Sequence, residues 1–108
     1  MSPRPYAHLL AESDKIWGAI PDRDRKVLMA VQQHYALTPS PLKATTLFNQ
    51  STLGSPVPIY ESIKRLTKGG YLRLSPDRMD QRVKHLSIAT KGLKLLDRLD
   101  ALVLAASQ

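Results

Sequence analysis

The 108-residue chain contains no cysteine. That single absence excludes disulfides, thiolate metal sites, cysteine nucleophiles and thiol-based redox sensing. Its three histidines, His8, His34 and His85, lie far apart with no ligand spacing, so no metal is expected. Also missing are a phosphate-cradling glycine loop, a His-Glu metal motif, a nucleophile elbow and a recognisable carboxylate pair. No catalytic residue and no cofactor is therefore assigned, and an enzyme is the least expected class. No stretch approaches the ~20 apolar residues of a membrane span. The leading "MSPRPYAHLLAESDKIW" lacks a basic segment followed by an unbroken apolar run. A cytoplasmic protein without membrane contact is the expectation.

Apolar residues make up 43% of the chain and charged residues 23%, the balance of a globular rather than a disordered protein, and the length suits one modest core. The net charge is +7, unevenly spread. Residues 55–91 hold eight Lys or Arg against three acids, so most of the excess falls in about a third of the chain. A concentrated basic surface of this kind suits a polyanion such as nucleic acid.

Periodicity orders the chain. Tyr6, Leu9, Leu10 and Trp17 recur at near-helical spacing until Gly18 and Pro21 interrupt them. A second helix is expected over about 22–35, with Asp22 and Asp24 at its positive end and Leu28, Val31 and Tyr35 on one face. Ser40-Pro41 reads as an N-cap and first-turn proline opening a third helix through Leu42 to Phe48. After the polar "NQSTLG", Ile59, Ile63 and Leu66 form one apolar stripe, with Tyr60, Lys64 and Lys68 pointing elsewhere and Arg65 at the side. Past Gly69-Gly70, "YLRLS" and "VKHLSIA" alternate around a polar "PDRMDQR", a hairpin with a charged tip. A last helix begins near Thr90, with Leu93, Leu96, Leu99 and Val103 in one stripe widened by Leu95 and Leu102.

This order predicts a mainly α chain with a small β-hairpin (α+β). It is a winged helix-turn-helix, with a three-helix core, a two- or three-stranded wing and flanking N- and C-terminal helices. Residues 1–21 form an arm and short helix, 22–92 the DNA-binding domain, and 93–108 a C-terminal helix. Both terminal segments are candidate dimer contacts.

Two prolines at the head of the 56–68 helix fit a first turn, whose N–H groups have no intrahelical acceptor. If Ser55 caps, Pro56 and Pro58 take the first and third helical positions. Alternatively the helix starts at Pro58, because proline disfavours helical geometry at the preceding Val57. Either entrance places Val57 and Pro58 to touch a thymine methyl and Tyr60 to reach a base edge or phosphate. Lys64, Arg65 and Lys68 on the helix, Arg78, Arg82 and Lys84 on the wing, and Lys43 upstream are the candidate DNA contacts. Glu61 is read as an intrahelical partner of Arg65 or Lys64 in preference to a cytosine-amino acceptor.

Residues 55–92, "SPVPIYESIKRLTKGGYLRLSPDRMDQRVKHLSIATKG", resemble the recognition helix and wing of MarR-type winged-helix transcription regulators. Leu66, Gly70, Asp80, Arg82, Ile88 and Gly92 stand at the family's spacings, and with the upstream helices the similarity covers 24–100. The resemblance implies that Arg82 enters or flanks the minor groove with Asp80 as its orienting partner. Ala89 departs from the family's capping threonine, and Thr90 offers itself as the cap instead. The expected function is a sequence-specific double-stranded DNA-binding transcriptional regulator, most simply a repressor. Helix 56–68 would read the major groove and wing 76–84 the minor groove. A homodimer is expected because one winged helix reads few base pairs, and a small-molecule effector stays open. The alternative is a winged-helix protein-interaction module that does not read DNA sequence.

Overall fold

The computed structural model describes residues 5–48 and 56–106. The expected N-terminal arm, the "NQSTLG" turn and the Ser55 cap lie outside them. Helix α1 (Pro5–Trp17) stops at Gly18, whose φ of +64° is the left-handed cap conformation that glycine tolerates best. Helix α2 (Asp22–Leu37) starts after Pro21, an extended residue at the N-cap with no side-chain cap bond, and carries Asp22 and Asp24 in its first turn. Strand β1 (Leu42–Lys43), helix α3 (Ala44–Phe48), helix α4 (Pro56–Lys68), strands β2 (Leu72–Pro76) and β3 (Lys84–Ile88), and helix α5 (Thr90–Ala106) complete the order.

Helix α4 begins at Pro56, which places both prolines and Val57 within its first turn. It ends where Gly70 adopts φ +85° and the Tyr71 amide reaches back to the Leu66 carbonyl at 2.9 Å, closing the last turn. Strand β3 lies between β1 and β2, antiparallel to both. Leu42 and Leu74 both lie opposite Leu86, and Leu72 lies opposite Ile88. Directly paired residues share a face, so these leucines point to the same side of the sheet, toward the helices.

That side closes over the core. Val27, Leu28 and Val31 from α2, Leu47 from α3, and Ile59, Ile63 and Leu66 from α4 meet Leu42, Leu72, Leu86 and Leu95. Fully burying side chains of this size contributes roughly 1.5–3 kcal/mol each. The Tyr35 hydroxyl donates to the Leu86 carbonyl and accepts the Leu42 amide at 3.1 Å, tying β1 and β3 to the end of α2.

In its secondary structure and core the chain departs from the sequence reading in three places. Leu42 and Lys43 are a strand, not the start of the third helix, because their backbone pairs with Leu86 and His85 and with the Tyr35 hydroxyl. On α5 the buried leucines are Leu95 and Leu96, with Leu99 packed at the core edge, whereas Leu93 and Val103 are exposed. Thr90 is the first helical residue, and Ala89 precedes it with its amide bonded to the Tyr71 carbonyl at 3.0 Å. Gly92, in the first turn of α5, lets this helix approach β2 closely: a Cβ there would sit 2.3 Å from the Tyr71 carbonyl oxygen.

Helix α1 packs chiefly against α5, and only its C-terminal end, Ile16 and Trp17, joins the core. The molecule is long, 58 × 26 × 23 Å, with a radius of gyration of 15.3 Å. A compact chain of this size would have about 13 Å. The α1/α5 pair forms an arm beside the winged helix.

Candidate nucleic-acid interface

Helix α4 divides into two faces. Ile59, Ser62, Ile63 and Leu66 are buried, whereas Val57, Tyr60, Glu61, Lys64 and Lys68 are exposed and Pro58 is half-buried. The Lys64 ammonium lies 5.4 Å from the centre of the Tyr60 ring, a cation–π contact that holds the lysine along the exposed face.

Arg65 sits at the edge of that face, its side chain 50% exposed, and is tied to α2. Its Nε and Nη2 donate to the two carboxylate oxygens of Asp24 at 2.9 and 2.7 Å, and Nη2 also reaches the buried Ser62 hydroxyl at 3.3 Å. Asp24 on α2 is only 2% exposed. Burial pushes its carboxyl up, but hydrogen bonds from Arg65 and Ser62, with the charges of Arg65 and Arg23, outweigh burial and hold it below the ordinary range. The hydrogen bonds that Arg65 donates to Asp24 in turn raise its guanidinium against the cost of desolvation. The expected Glu61–Arg65 pairing is therefore replaced by a bond between helices, and Glu61 forms no ion pair among the described residues.

The wing tip is built by two aspartates. Asp77 accepts the amides of Met79 and Asp80 through one oxygen, at 2.9 and 3.1 Å, and its other oxygen lies 3.4 Å from His85 Nε2. Asp80 accepts the Arg82 amide at 3.0 Å and the Arg82 guanidinium at 3.2 and 3.4 Å. The backbone closes through Val83 to Asp80 at 3.0 Å and Asp77 to Val83 at 2.9 Å. Asp80 is held below the ordinary carboxylate range by the Arg82 side-chain bonds first and the Arg82 amide second. The turn is thus shaped by short side chains bonding to local backbone. Arg82 leaves it with its side chain 92% exposed, and Arg78 and Lys84 are exposed beside it.

Lys43 is exposed on β1, at the sheet edge, where it pairs with His85 of β3. Arg73, exposed on β2, is a cation the sequence reading leaves out of the site. The histidines do not converge: His34 Nε2 pairs with the Ser40 carbonyl at 2.7 Å, His85 sits at the wing base and His8 is exposed on α1. Among the described residues no helix is long and apolar enough to cross a membrane.

No protein-family model and no curated protein matches the chain. Solved structures do. A MepR variant from S. aureus bound to an oligodeoxyribonucleotide superposes with a TM-score of 0.76 at 15% identity, over 95% of this chain and 73% of that one. A transcriptional regulator from Thermotoga maritima gives 0.64 at 22% identity, over 92% and 72%. A MarR-like transcription regulator from Bacillus cereus gives 0.63 at 18% identity, over 94% and 70%. These likenesses extend beyond the wing to the α1/α5 arm, so the chain has the winged helix-turn-helix fold of MarR-like transcription regulators, flanking helices included.

Proposed function

We propose that this chain is a sequence-specific, double-stranded DNA-binding transcriptional regulator acting as a homodimer in the cytoplasm. Helix α4 enters the major groove and the 77–83 wing tip lies at the minor groove. The observation that carries this reading is Arg82, exposed at the wing tip and held by Asp80, together with an α4 whose outward face presents Lys64 and Lys68. Phosphate neutralisation by such cations supplies most non-specific affinity, and base-edge contacts from Val57, Pro58 and Tyr60 supply register. Arginine suits a narrow minor groove, where the negative potential is strongest. A fold neighbour solved with a bound oligodeoxyribonucleotide supports the same reading. Exposed cations on both elements speak against a docking module with no use for them, and no catalytic role is assigned.

Two further features fit. Tyr6 and Leu10 on α1, and Leu93, Val103 and Leu104 on α5, expose apolar surface on the arm, where a second copy would bury it. A cleft of about 500 Å³ between the α1–α2 turn and α4, lined by Trp17, Ile20, Asp24, Arg65, Leu66 and Tyr71, has room for a small effector. One fold neighbour, PcaV from Streptomyces coelicolor, was solved with its natural ligand. Repression by occluding a promoter is the simplest outcome of such binding.

Titrating a selected duplex by fluorescence anisotropy at several salt concentrations tests the proposal. Taking Lys64, Lys68, Arg78, Arg82 and Lys84, all exposed on α4 or the wing, as the phosphate contacts gives ten per dimer. At about −0.9 per neutralised phosphate, the slope of log K against log salt has a ceiling of about −9. A slope steeper than about −4, flattened by about 1 in Arg82→Ala with a loss of about 1–3 kcal/mol if Arg82 meets bases, is expected. A slope near zero, or an Arg82→Ala variant equal to the parent, refutes it.

A further inference from the structure

The first turn of α2 binds outward in two directions from adjacent residues. Asp24 holds α4 through Arg65. Arg25 holds the end of α1: its Nε donates to the Ile20 carbonyl at 2.7 Å, Nη2 to the Gly18 carbonyl at 3.0 Å and Nη1 to the Asp14 carboxylate at 2.6 Å. Its guanidinium carbon also lies 5.8 Å from the centre of the Trp17 ring. One planar group, 21% exposed, therefore takes the last turn of α1, the connecting turn and the tryptophan together. Such a fork fixes direction as well as distance, which a lysine cannot do.

We infer that Arg25 is a positioning residue that sets the angle between the α1/α5 arm and the DNA-reading unit, and thereby the spacing between the two half-sites that a dimer accepts. This rests on the dimeric DNA-reading proposal above. The connection between arm and winged helix at this point is otherwise the turn 18–21, in which Gly18 sits at positive φ and Ile20 returns a 3.4 Å bond to Trp17. Apart from Arg25 the arm is held by the apolar packing of Trp17, Ile20 and Leu95, which is not directional. The consequence scales with the lever. A rotation of about 10° acting over ~20 Å, the length of the 13-residue α4 whose C-terminal end lies at the joint, moves its N-terminal end by about 3.5 Å. That is roughly one base-pair step along the duplex. A dimer with a loose joint would accept half-sites one pair closer or farther apart, whereas a fixed joint rejects them.

The same joint flanks the cleft lined by Trp17, Ile20 and Asp24, so anything that moves Trp17 also moves a partner of Arg25. Arg25 thus affects which pairs of half-sites are read without touching DNA.

The test uses the full chain and a series of duplexes carrying two copies of the selected half-site, separated by the preferred spacer or by one or two base pairs more or fewer. The parent, Arg25→Met, Arg25→Lys and Lys26→Met are titrated against each duplex, with dimer mass and thermal unfolding measured alongside. The parent and Lys26→Met should lose about tenfold or more per base pair of mis-spacing, within the range of a mismatched site. Arg25→Met should lose less than about threefold on those duplexes while binding a single half-site as the parent does. Arg25→Lys should fall between, and it decides the matter if Arg25→Met does not fold. A folded, dimeric Arg25 variant with the parent's spacing profile overturns the inference and leaves the DNA-reading proposal standing. Failure of the parent to prefer any spacing while it binds single half-sites also overturns it. Failure of the parent to bind any duplex overturns the DNA-reading proposal and this inference with it.

Discussion

Replacing Tyr35 with phenylalanine removes one oxygen atom that two strands share. The hydroxyl donates to the Leu86 carbonyl on β3 and accepts the Leu42 amide on β1, and both leucines are at most 1% exposed. Phenylalanine keeps the ring packed against the core but leaves the Leu42 N–H without this acceptor in a site water does not reach. An unsatisfied buried donor costs about 1–3 kcal/mol and the lost bond to Leu86 about 0.5–1.5 kcal/mol more. A total of about 2–4 kcal/mol follows, a large share of the 5–15 kcal/mol typical of a domain. At roughly 2.1 cal/mol/K per residue the unfolding entropy corresponds to about 4–5 °C per kcal/mol, so Tm should fall by about 9–18 °C. Urea titration followed by circular dichroism gives the free energy, and a thermal scan gives the midpoint. Tyr71→Phe is the control, because the Tyr71 ring is also half-buried in the core edge but its hydroxyl has no bonded partner among the described residues. If Tyr35→Phe loses less than about 0.5 kcal/mol and matches Tyr71→Phe, the hydroxyl does not join the strands and the reasoning is refuted.

Other perturbations have defined outcomes. Gly92→Ala should destabilise by about 1–3 kcal/mol in denaturant titration despite a gain of about 1 kcal/mol in helix propensity, since its Cβ would press on the Tyr71 carbonyl and on Ile88; unchanged or raised stability would contradict the close approach. Asp24, whose folded-state carboxyl is held below its unfolded value, contributes stability above the unfolded pKa and loses it as pH falls through the folded one. The stability gap between the parent and Asp24→Asn should therefore be widest near pH 7 and shrink toward about pH 3, whereas a gap independent of pH would show that the charge is immaterial. Asp80→Asn should weaken DNA binding less than Arg82→Ala does while leaving the unfolding midpoint nearly unchanged, as Arg82 is largely and Asp80 partly exposed. A larger loss from Asp80→Asn would assign Asp80 a direct role.

The parts legible in the sequence were those whose signal is local. Ile59, Ile63 and Leu66 recur at helical spacing, and all three are buried. The Gly69-Gly70 stop and the alternation on either side of 77–83 mark the wing within a few residues of its bounds. Two-residue β1 carries no period of its own, and Ser40-Pro41 just before it has the chemistry of a helix start. Only Leu86 and Tyr35, distant in sequence, convert that segment into a strand. Arg65 illustrates the same limit on the candidate site. Its neighbours one turn away suggest an intrahelical partner, but a buried carboxylate 41 positions upstream takes its guanidinium. On α5 every second or third residue is apolar, so several stripes compete, and only packing against β2 and α1 selects Leu95 and Leu96. The Asp80–Arg82 pair came from the resemblance to MarR-type wings, not from any periodicity, and its bonds lie within one turn.

The central claim is that α4 and the wing read duplex DNA as a symmetric pair. Selection of bound fragments from random duplex DNA tests it most directly. The account predicts enrichment of one pseudopalindromic motif, with half-sites centred about one helical turn, roughly 10 base pairs, apart, and with A·T pairs where the Arg82 wing lies over the minor groove. A selection that enriches no motif from a folded, full-length protein contradicts it.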